Sequence, residues 1–460
     1  MALSVAYNTA RSSLQASQSQ MGVVSRNTSS ATDPSYSRKI ASLVTQNGSV
    51  RVSVARASSA ALYAKMLETT SDASLRKSVL DGLERINQTI GDTYLNQSPA
   101  ARVGALTSAL QSYAKSPDNP VTARAFVASA YEMATSLNQA SAKVQMVRQD
   151  ADREMSDSVK LINDILVKFE AANNDVLRGT AVGADVSDSL DTRDALVAQL
   201  SEELGITVVT RAGNDMAIYT DGGVPLFERK ARTVTFDRVT VGPVPPADRM
   251  IDANQVFIDG VRVTGHEASM PLNSGKLAGL SELRDGVAIA YEDQLHALAG
   301  GLIKALGSVF VEDPLAPARI AVNPAIDPNV GGSYDIIRDG GGNPDGDAAY
   351  SENLYRLIGE LERKDRAFNS KLGLGATASL QEFASASASW VQASRQKASD
   401  QLDYEITLLG QASDLLSNAT DVNMDDETAM MLQLEKSYAA SAKLISVINE
   451  MLKTLLNMVG

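Results

Sequence analysis

The stretch Met155-Ser-Asp-Ser-Val-Lys-Leu-Ile-Asn-Asp-Ile-Leu-Val-Lys-Phe169 places Met155, Val159, Ile162, Leu166 and Phe169 at alternating four- and three-residue spacing. This is the period of a helix with one apolar seam, and a seam requires a facing helix. It lies inside a run from Val121 to Arg178 that contains neither glycine nor proline. Pro120 suits a first helical residue, because its missing N–H would be unpaired there anyway, and Gly179 suits a stop. The pattern predicts a helix roughly 87 Å long at ~1.5 Å per residue. Two collinear helices broken near the polar stretch Gln149–Arg153 would read the same way.

Partners for that seam are expected on both sides in sequence. Leu75, Val79, Leu83, Ile86 and Ile90 form one amphipathic stripe, and residues 376–409 form a second stretch without glycine or proline, with Phe383, Trp390, Leu402, Ile406 and Leu409 as its larger apolar groups. Packing them together makes a helical bundle from both halves of the chain. Between them the texture changes: Ile206-Thr-Val-Val-Thr, a turn and Met216-Ala-Ile-Tyr read as strand, turn, strand. Arg232–Phe236 and Val256–Val263 continue the β signal, the latter around an Asp-Gly hairpin centre. Residues 206–272 are therefore expected to form a small β-rich insertion. Helical character resumes at about Ser281–Val311, followed by an extended proline-rich stretch and a glycine-rich loop at 339–346.

Both ends repeat the seam. Leu3, Tyr7, Ala10, Leu14, Ser17, Met21 and Val24 run at four-three spacing, as do Met431, Leu434, Tyr438, Ser441, Ile445, Ile448, Leu452, Leu455 and Val459. Among the first 24 residues only Arg11 is charged. A helix facing water usually carries Lys and Glu, so low charge suits a surface that becomes covered. Two readings follow: terminal helices packed on the chain's own core, or helices that pair with each other and insert among neighbouring subunits. In the tail, Asp425, Asp426 and Glu427 suit the positive end of a starting helix.

Composition removes most chemistry. The 460 residues carry a net charge of −13, which disfavours a nucleic-acid-coating or polybasic membrane-binding protein. Cysteine is absent, excluding disulfides, thiol nucleophiles and thiolate metal sites, and His266 and His296 are the only histidines. No apolar run approaches the ~18–20 residues of a membrane span, and the first residues read as lacking a cleaved secretory signal. The loop Gly341–Glu352 places Asn343, Asp345, Gly346 and Glu352 in a calcium-loop register, but Gly341 stands at the first ligand position and Pro344 intrudes. An acidic surface loop is the better account. No phosphate-binding glycine pattern or serine nucleophile elbow occurs, so an enzyme with a catalytic, cofactor or metal site is not expected.

Specific residues resemble a family. Val23-Val-Ser-Arg-Asn27 through Pro34-Ser-Tyr36-Ser-Arg38 is similar to the N-terminal signature of the flagellar rod, hook and hook-associated proteins, in which an amphipathic helix leads to an asparagine-rich turn and a Thr-x-Gly-Tyr-x-Arg motif. Asn27, Pro34, Tyr36 and Arg38 fit, whereas Ser30, Asp33 and Ser35 depart from the usual Asn, Thr and Gly. Ser189-Leu-Asp-Thr-Arg193-Asp194-Ala-Leu-Val, Ser274-Gly-Lys-Leu277 to Arg284-Asp285, and Val422-Asn-Met-Asp-Asp-Glu427 to Met451-Leu resemble, in order, segments of the hook–filament junction members.

The resemblance implies a mainly α, discontinuous multidomain rod with paired N- and C-terminal helices, a long helical bundle domain and an inserted small β-rich domain. The expected boundaries are a terminal helix and linker at 1–40, bundle segments at 41–205 and 273–425 with an extended stretch at 312–350, a β-rich domain at 206–272 and a last helix at 426–460. It implies a structural adaptor joining hook to filament, exported through the flagellar type III channel to the extracellular flagellum. Implied partners are further copies of the chain, the hook protein, the second junction protein and an export chaperone, with no nucleic acid and no membrane. The expected subunit-interface residues are Leu3, Tyr7, Leu14, Met21, Val24, Asn27, Tyr36, Arg38, Leu434, Tyr438, Ile445, Ile448, Leu452 and Leu455. Tyr36 and Arg38 would anchor the linker against a neighbour, or simply pack their own loop. Residues 1–40 and 425–460 are expected to be mobile until assembly. Another axial protein, either the hook protein or the second junction protein, and a non-flagellar coiled-coil interaction protein or adhesin remain as alternatives.

Overall fold

The computed structural model describes residues 2–46, 49–88, 97–238, 255–313 and 319–459. The chain is mainly helical and divides into two compact units, each discontinuous in sequence: residues 1–72, 161–233 and 406–460 form one, and 73–160 with 234–405 the other.

The first unit contains the helix α1 (Ala2–Ser29), the hairpin β1 (Lys39–Gln46) and β2 (Ser49–Arg56), and the C-terminal helix α11 (Met424–Val459). It also holds the start of α2 (Ala60–Asn87), the later part of α4 (Pro120–Ala181), the helix α5 (Ser187–Glu203) and the antiparallel meander β3 (Ile206–Thr210), β4 (Met216–Thr220) and β5 (Pro225–Phe227). Met216, Ala217 and Ile218 of β4 are buried. Phe227 meets Phe169 of α4 edge to face at 4.9 Å, a geometry that sets a ring edge against a π face.

The two terminal helices pack antiparallel on one another. Ser13 Oγ lies 3.2 Å from Ser441 Oγ, and Ser17 Oγ lies 3.3 Å from Ser437 Oγ. Each step up α1 is matched by an equal step down α11. Ala10, Ala16, Ser17 and Ser441 are buried along this line, and small residues let two helix backbones approach closely. Val23, Val24, Leu434 and Ile448 add the larger buried groups.

The second unit contains the remainder of α2 and α4, the helix α3 (Pro99–Lys115), the short sheet β6 (Val234–Thr235), β7 (Phe257–Ile258) and β8 (Val261–Arg262), and the helices α6 (Lys276–Glu282) and α7 (Ala288–Ala305). A hairpin of β9 (Phe310–Glu312) and β10 (Ile320–Val322), the short helices α8 (Asp335–Asp339) and α9 (Glu352–Glu362) and the first part of α10 (Leu380–Thr420) complete it. A wide helical turn, Leu283–Val287, joins α6 to α7 and places Arg284 in the core. There its guanidinium donates to Asp152 at 2.9 Å and to Asp285 at 2.8 Å. Gly279 is required by contact rather than by backbone angle, since a Cβ there would stand 2.5 Å from the Leu75 carbonyl oxygen.

The seam residues Met155, Val159, Ile162, Leu166 and Phe169 are all buried, as are Leu75, Val79, Leu83 and Ile86; Ile90 lies outside the described residues. The long helix is continuous through Gln149–Arg153. Of the large residues of α10, Phe383 is buried, while Ile406 is exposed. The hairpin at 39–56 was not expected. Among the described residues no helix is long and apolar enough to cross a membrane.

Candidate assembly site

The richest polar cluster of the first unit stands where α1 ends, β1 begins and α11 starts. Asn423 caps α11, accepting the backbone N–H groups of Asp425 at 2.9 Å and Asp426 at 3.3 Å. The adjacent acid, Glu427, turns inward and is buried. Its two oxygens take separate donors: Arg38 Nε at 2.7 Å and Asn27 Nδ2 at 3.0 Å. Asn27, itself buried on the last turns of α1, uses its remaining capacity on the linker. Its amide also donates to the Lys39 carbonyl at 2.9 Å, while its Oδ1 accepts the Lys39 N–H at 2.9 Å and the Tyr36 hydroxyl at 2.8 Å. One asparagine therefore closes the turn and ties it to the other end of the chain.

A second set of charges holds the hairpin. The Lys39 side chain is wholly buried, 4.4 Å from the Tyr36 ring centre, and its ammonium pairs with Asp191 and, at 3.3 Å, with Asp188. Asp188, Asp191 and Asp194 recur every three residues, so they share one side of α5. Arg56, opposite Lys39 in the hairpin register, donates to Asp191 at 3.0 Å and also pairs with Asp194. The Tyr63 hydroxyl donates to the Asp194 carbonyl at 2.6 Å. On another side of α5, Arg193 donates to Asn173 at 3.2 Å and to the Asn214 carbonyl, where Asn214 adopts a left-handed φ of 63°. The Ser-Leu-Asp-Thr-Arg-Asp segment thus bonds the hairpin with its aspartates and the β3–β4 turn with its arginine.

Burial of this network shifts its protons. The Tyr36 hydroxyl is pushed up to about 12, chiefly by burial; nearby Arg26 opposes the rise, and Asp188, Asp191 and Glu427 add to it. Tyr63 is also raised, mainly by burial. For Arg193, burial is the leading cause of a lowered value. At Arg56 burial opposes the charge most strongly, but Asp194 and Asp191 together outweigh it and raise the value. Buried ions need such partners, because an unpaired charge in the interior costs several kcal/mol.

The expected interface residues fall into three groups. Asn27, Tyr36 and Arg38 are bonded within the chain, as described above. Val24, Leu434 and Ile448 are buried, and Leu3, Tyr7, Leu14, Met21 and Ile445 are partly covered. Tyr438, Leu452 and Leu455 are exposed. So are Leu444, Val447 and Met451, at 56%, 44% and 55%, a row of α11 that runs beside its buried positions Ser441 and Ile448. The terminal seams are therefore only partly covered within the chain.

Sequence reasoning passed over the inward role of Glu427 and the roles of Lys39, Arg56 and Asp191. The signal for Glu427 was its place four residues before Met431, in step with the α11 seam. An acid on a seam position needs a buried partner. Asn343 is spent on Asp339 at 2.8 Å and the Asp347 carbonyl at 2.9 Å. Among the described residues no group of three or more His, Asp or Glu is placed to hold a metal.

Residues 83–309 match the family model described as the flagellar hook-associated protein FlgK helical domain. Residues 417–458 match that of the flagellar basal body rod FlgEFG protein C-terminal. Among solved structures, the chain is similar to the flagellar hook junction protein FlgK from Burkholderia pseudomallei, with 20% identity and a TM-score of 0.44 over 55% of this chain and 45% of that one. The chain therefore spans less than half of that protein's length in the matched region. No curated protein sequence matches it.

Proposed function

Because this chain belongs to the FlgK family of flagellar hook-associated proteins, we propose that it is a structural adaptor of the bacterial flagellum, joining hook to filament through its terminal helices. The observation that carries this reading is the incomplete burial of the α1–α11 pair. Asn27 and Glu427 bring the two ends of the chain together, while Leu444, Val447 and Met451 face outward. Exposed apolar rows on a paired helix are an interaction surface, because burying them releases ~25 cal/mol per Å² before ordering costs.

On this reading Leu3, Tyr7, Leu14, Met21, Tyr438, Ile445, Leu452 and Leu455 contribute to contacts with neighbouring copies, the hook protein or the second junction protein. Asn27, Tyr36, Arg38, Val24, Leu434 and Ile448 hold the pair in the shape those contacts require. Export through the flagellar type III channel, with a chaperone covering the exposed row beforehand, is part of the same proposal. The division into terminal helices, bundle and β-rich domain is proposed to assign assembly to the ends and rigidity to the middle.

The test is complementation of a strain lacking this protein. The intact chain should restore filaments, and a chain without residues 426–460 should leave bare hooks with filament subunits in the medium. Normal filaments in the uncomplemented strain would defeat the proposal.

A further inference from the structure

Charge is divided unevenly between the two ends of the chain. Residues 1–67 carry seven bases and one acid, whereas residues 398–435 carry nine acids and no base. Part of this opposition is satisfied internally, by Arg38 with Glu427 and by Lys39 and Arg56 with the α5 aspartates. Part of the remainder points outward in two places that match one another.

One is the outer face of the β1–β2 hairpin. The register pairs Ile40 with Ala55, Ser42 with Ser53 and Val44 with Arg51, and all six residues are exposed. The opposite face holds Lys39 and Arg56 against α5, and the Ala41 carbonyl accepts from Gln20 of α1 at 3.1 Å. The outer face is therefore a small apolar sheet surface with a cation in it and no acid. The other place is the end of α10, where Asp414, Leu415 and Asn418 lie on one exposed side, with Asp421 just beyond the helix. Leu415 is 57% exposed.

We infer that the outer face of the hairpin docks on the α10 end of a second copy of this chain, Arg51 meeting Asp414 and Asp421 while Ile40 and Val44 cover Leu415. Charge selects this occupant. Hairpin against hairpin would bring two copies of Arg51 into one contact with no acid to meet either, which disfavours it. A contact between two different surfaces of one chain is head to tail, and head-to-tail contacts generate rings or helical layers. The inference rests on the junction role proposed above and supplies one of its lateral contacts.

The chain has no cysteine, so an introduced thiol is unique. Full-length Ser53→Cys and Asn418→Cys proteins are mixed, concentrated until they assemble, and oxidised. From equal amounts of the two proteins, mixed disulfide dimers should exceed each homodimer by well over the twofold that random pairing gives. An excess of Ser53→Cys homodimers would show hairpin against hairpin, and mixed dimers without enrichment, or absent, would equally overturn the contact. By sedimentation velocity, Arg51→Glu should weaken self-association about tenfold, and adding Asp414→Lys and Asp421→Lys to the same chain should restore it. A variant that was merely misfolded would gain nothing from the added lysines, and failure of rescue with folding intact would overturn the pairing. Co-sedimentation of the unmodified chain with isolated hooks is read separately. Hook binding without mixed dimers defeats only this contact, and mixed dimers without hook binding defeat only the junction role.

Discussion

The Asn27 amide donates to the Glu427 carboxylate at 3.0 Å across 400 positions of sequence, and the other Glu427 oxygen is held by Arg38 at 2.7 Å. The carboxylate is buried while Arg38 keeps some contact with water. Glu427→Ala should therefore cost ~2–3 kcal/mol, the range for a lost hydrogen-bonded charge whose partner is partly solvated. Glu427→Gln retains an acceptor and a similar shape and should cost less. Urea unfolding of the two variants tests the order; equal stability of Glu427→Ala and the parent would show that the contact holds nothing.

Lys39 and Asp191 form a more deeply buried pair, and the expected signature is non-additivity. Lys39→Met leaves the aspartate with Arg56 and a long bond from the Ser37 N–H at 3.5 Å, and should destabilise the chain by ~3–5 kcal/mol. Lys39→Met with Asp191→Leu replaces the pair by apolar groups and should recover much of that loss, since buried ion pairs often break even against such replacements. A double-mutant cycle with no coupling would contradict the geometry.

Tyr36 makes stability sensitive to alkali. Its hydroxyl is about 10 when unfolded and about 12 in the folded chain, so the folded state favours the neutral form. Below pH 10 the hydroxyl is neutral in both states and its contribution is complete. Between pH 10 and about 12 the unfolded chain ionises first, and that contribution is lost as pH rises. Circular dichroism against pH should show a steeper decline for the parent than for Tyr36→Phe across this window. Tyr63, raised in the same direction, leaves part of the slope in the variant.

How much of this could be read from sequence depended on whether the signal was local. Met155 through Phe169 announced burial by spacing alone, and all five seam residues are buried. The hairpin was passed over although Asn47-Gly48 is a strong turn signal. Its strand Lys39–Gln46 places Leu43 and Val44 side by side, which breaks period-two alternation. Lys39 and Asp191 could not be joined beforehand because nothing local relates positions 152 residues apart. The Asp188, Asp191, Asp194 repeat finds its cations on the hairpin, which is distant in sequence.

Gly279 makes the second unit sensitive to a single methyl group. A Cβ at this position would meet the Leu75 carbonyl oxygen at 2.5 Å and Ser78 Cβ at 2.9 Å. The first contact is backbone, which cannot rotate aside. Gly279→Ala should therefore destabilise by ~1–3 kcal/mol, the usual cost of overpacking, despite alanine's better helix propensity. Thermal unfolding would decide, and an unchanged or raised midpoint would show that α2 and α6 can separate at little cost.

The outer row of α11 separates stability from assembly. Leu444, Val447 and Met451 are exposed in the single chain, so their replacement removes little burial. Changing all three to Gln should leave folding within ~0.5 kcal/mol, as for substitutions on an open surface. If the row is the assembly surface, the same variant should fail to bind hooks or cap them in cells, because the apolar area that drives association is gone. Leu434→Gln provides the contrast: it faces the paired side of α11 and is buried, so it should lower the unfolding midpoint before any partner is present. A triple variant that binds hooks normally would place the assembly surface elsewhere on the chain. One that loses its fold would show that the row is covered in solution by the chain itself.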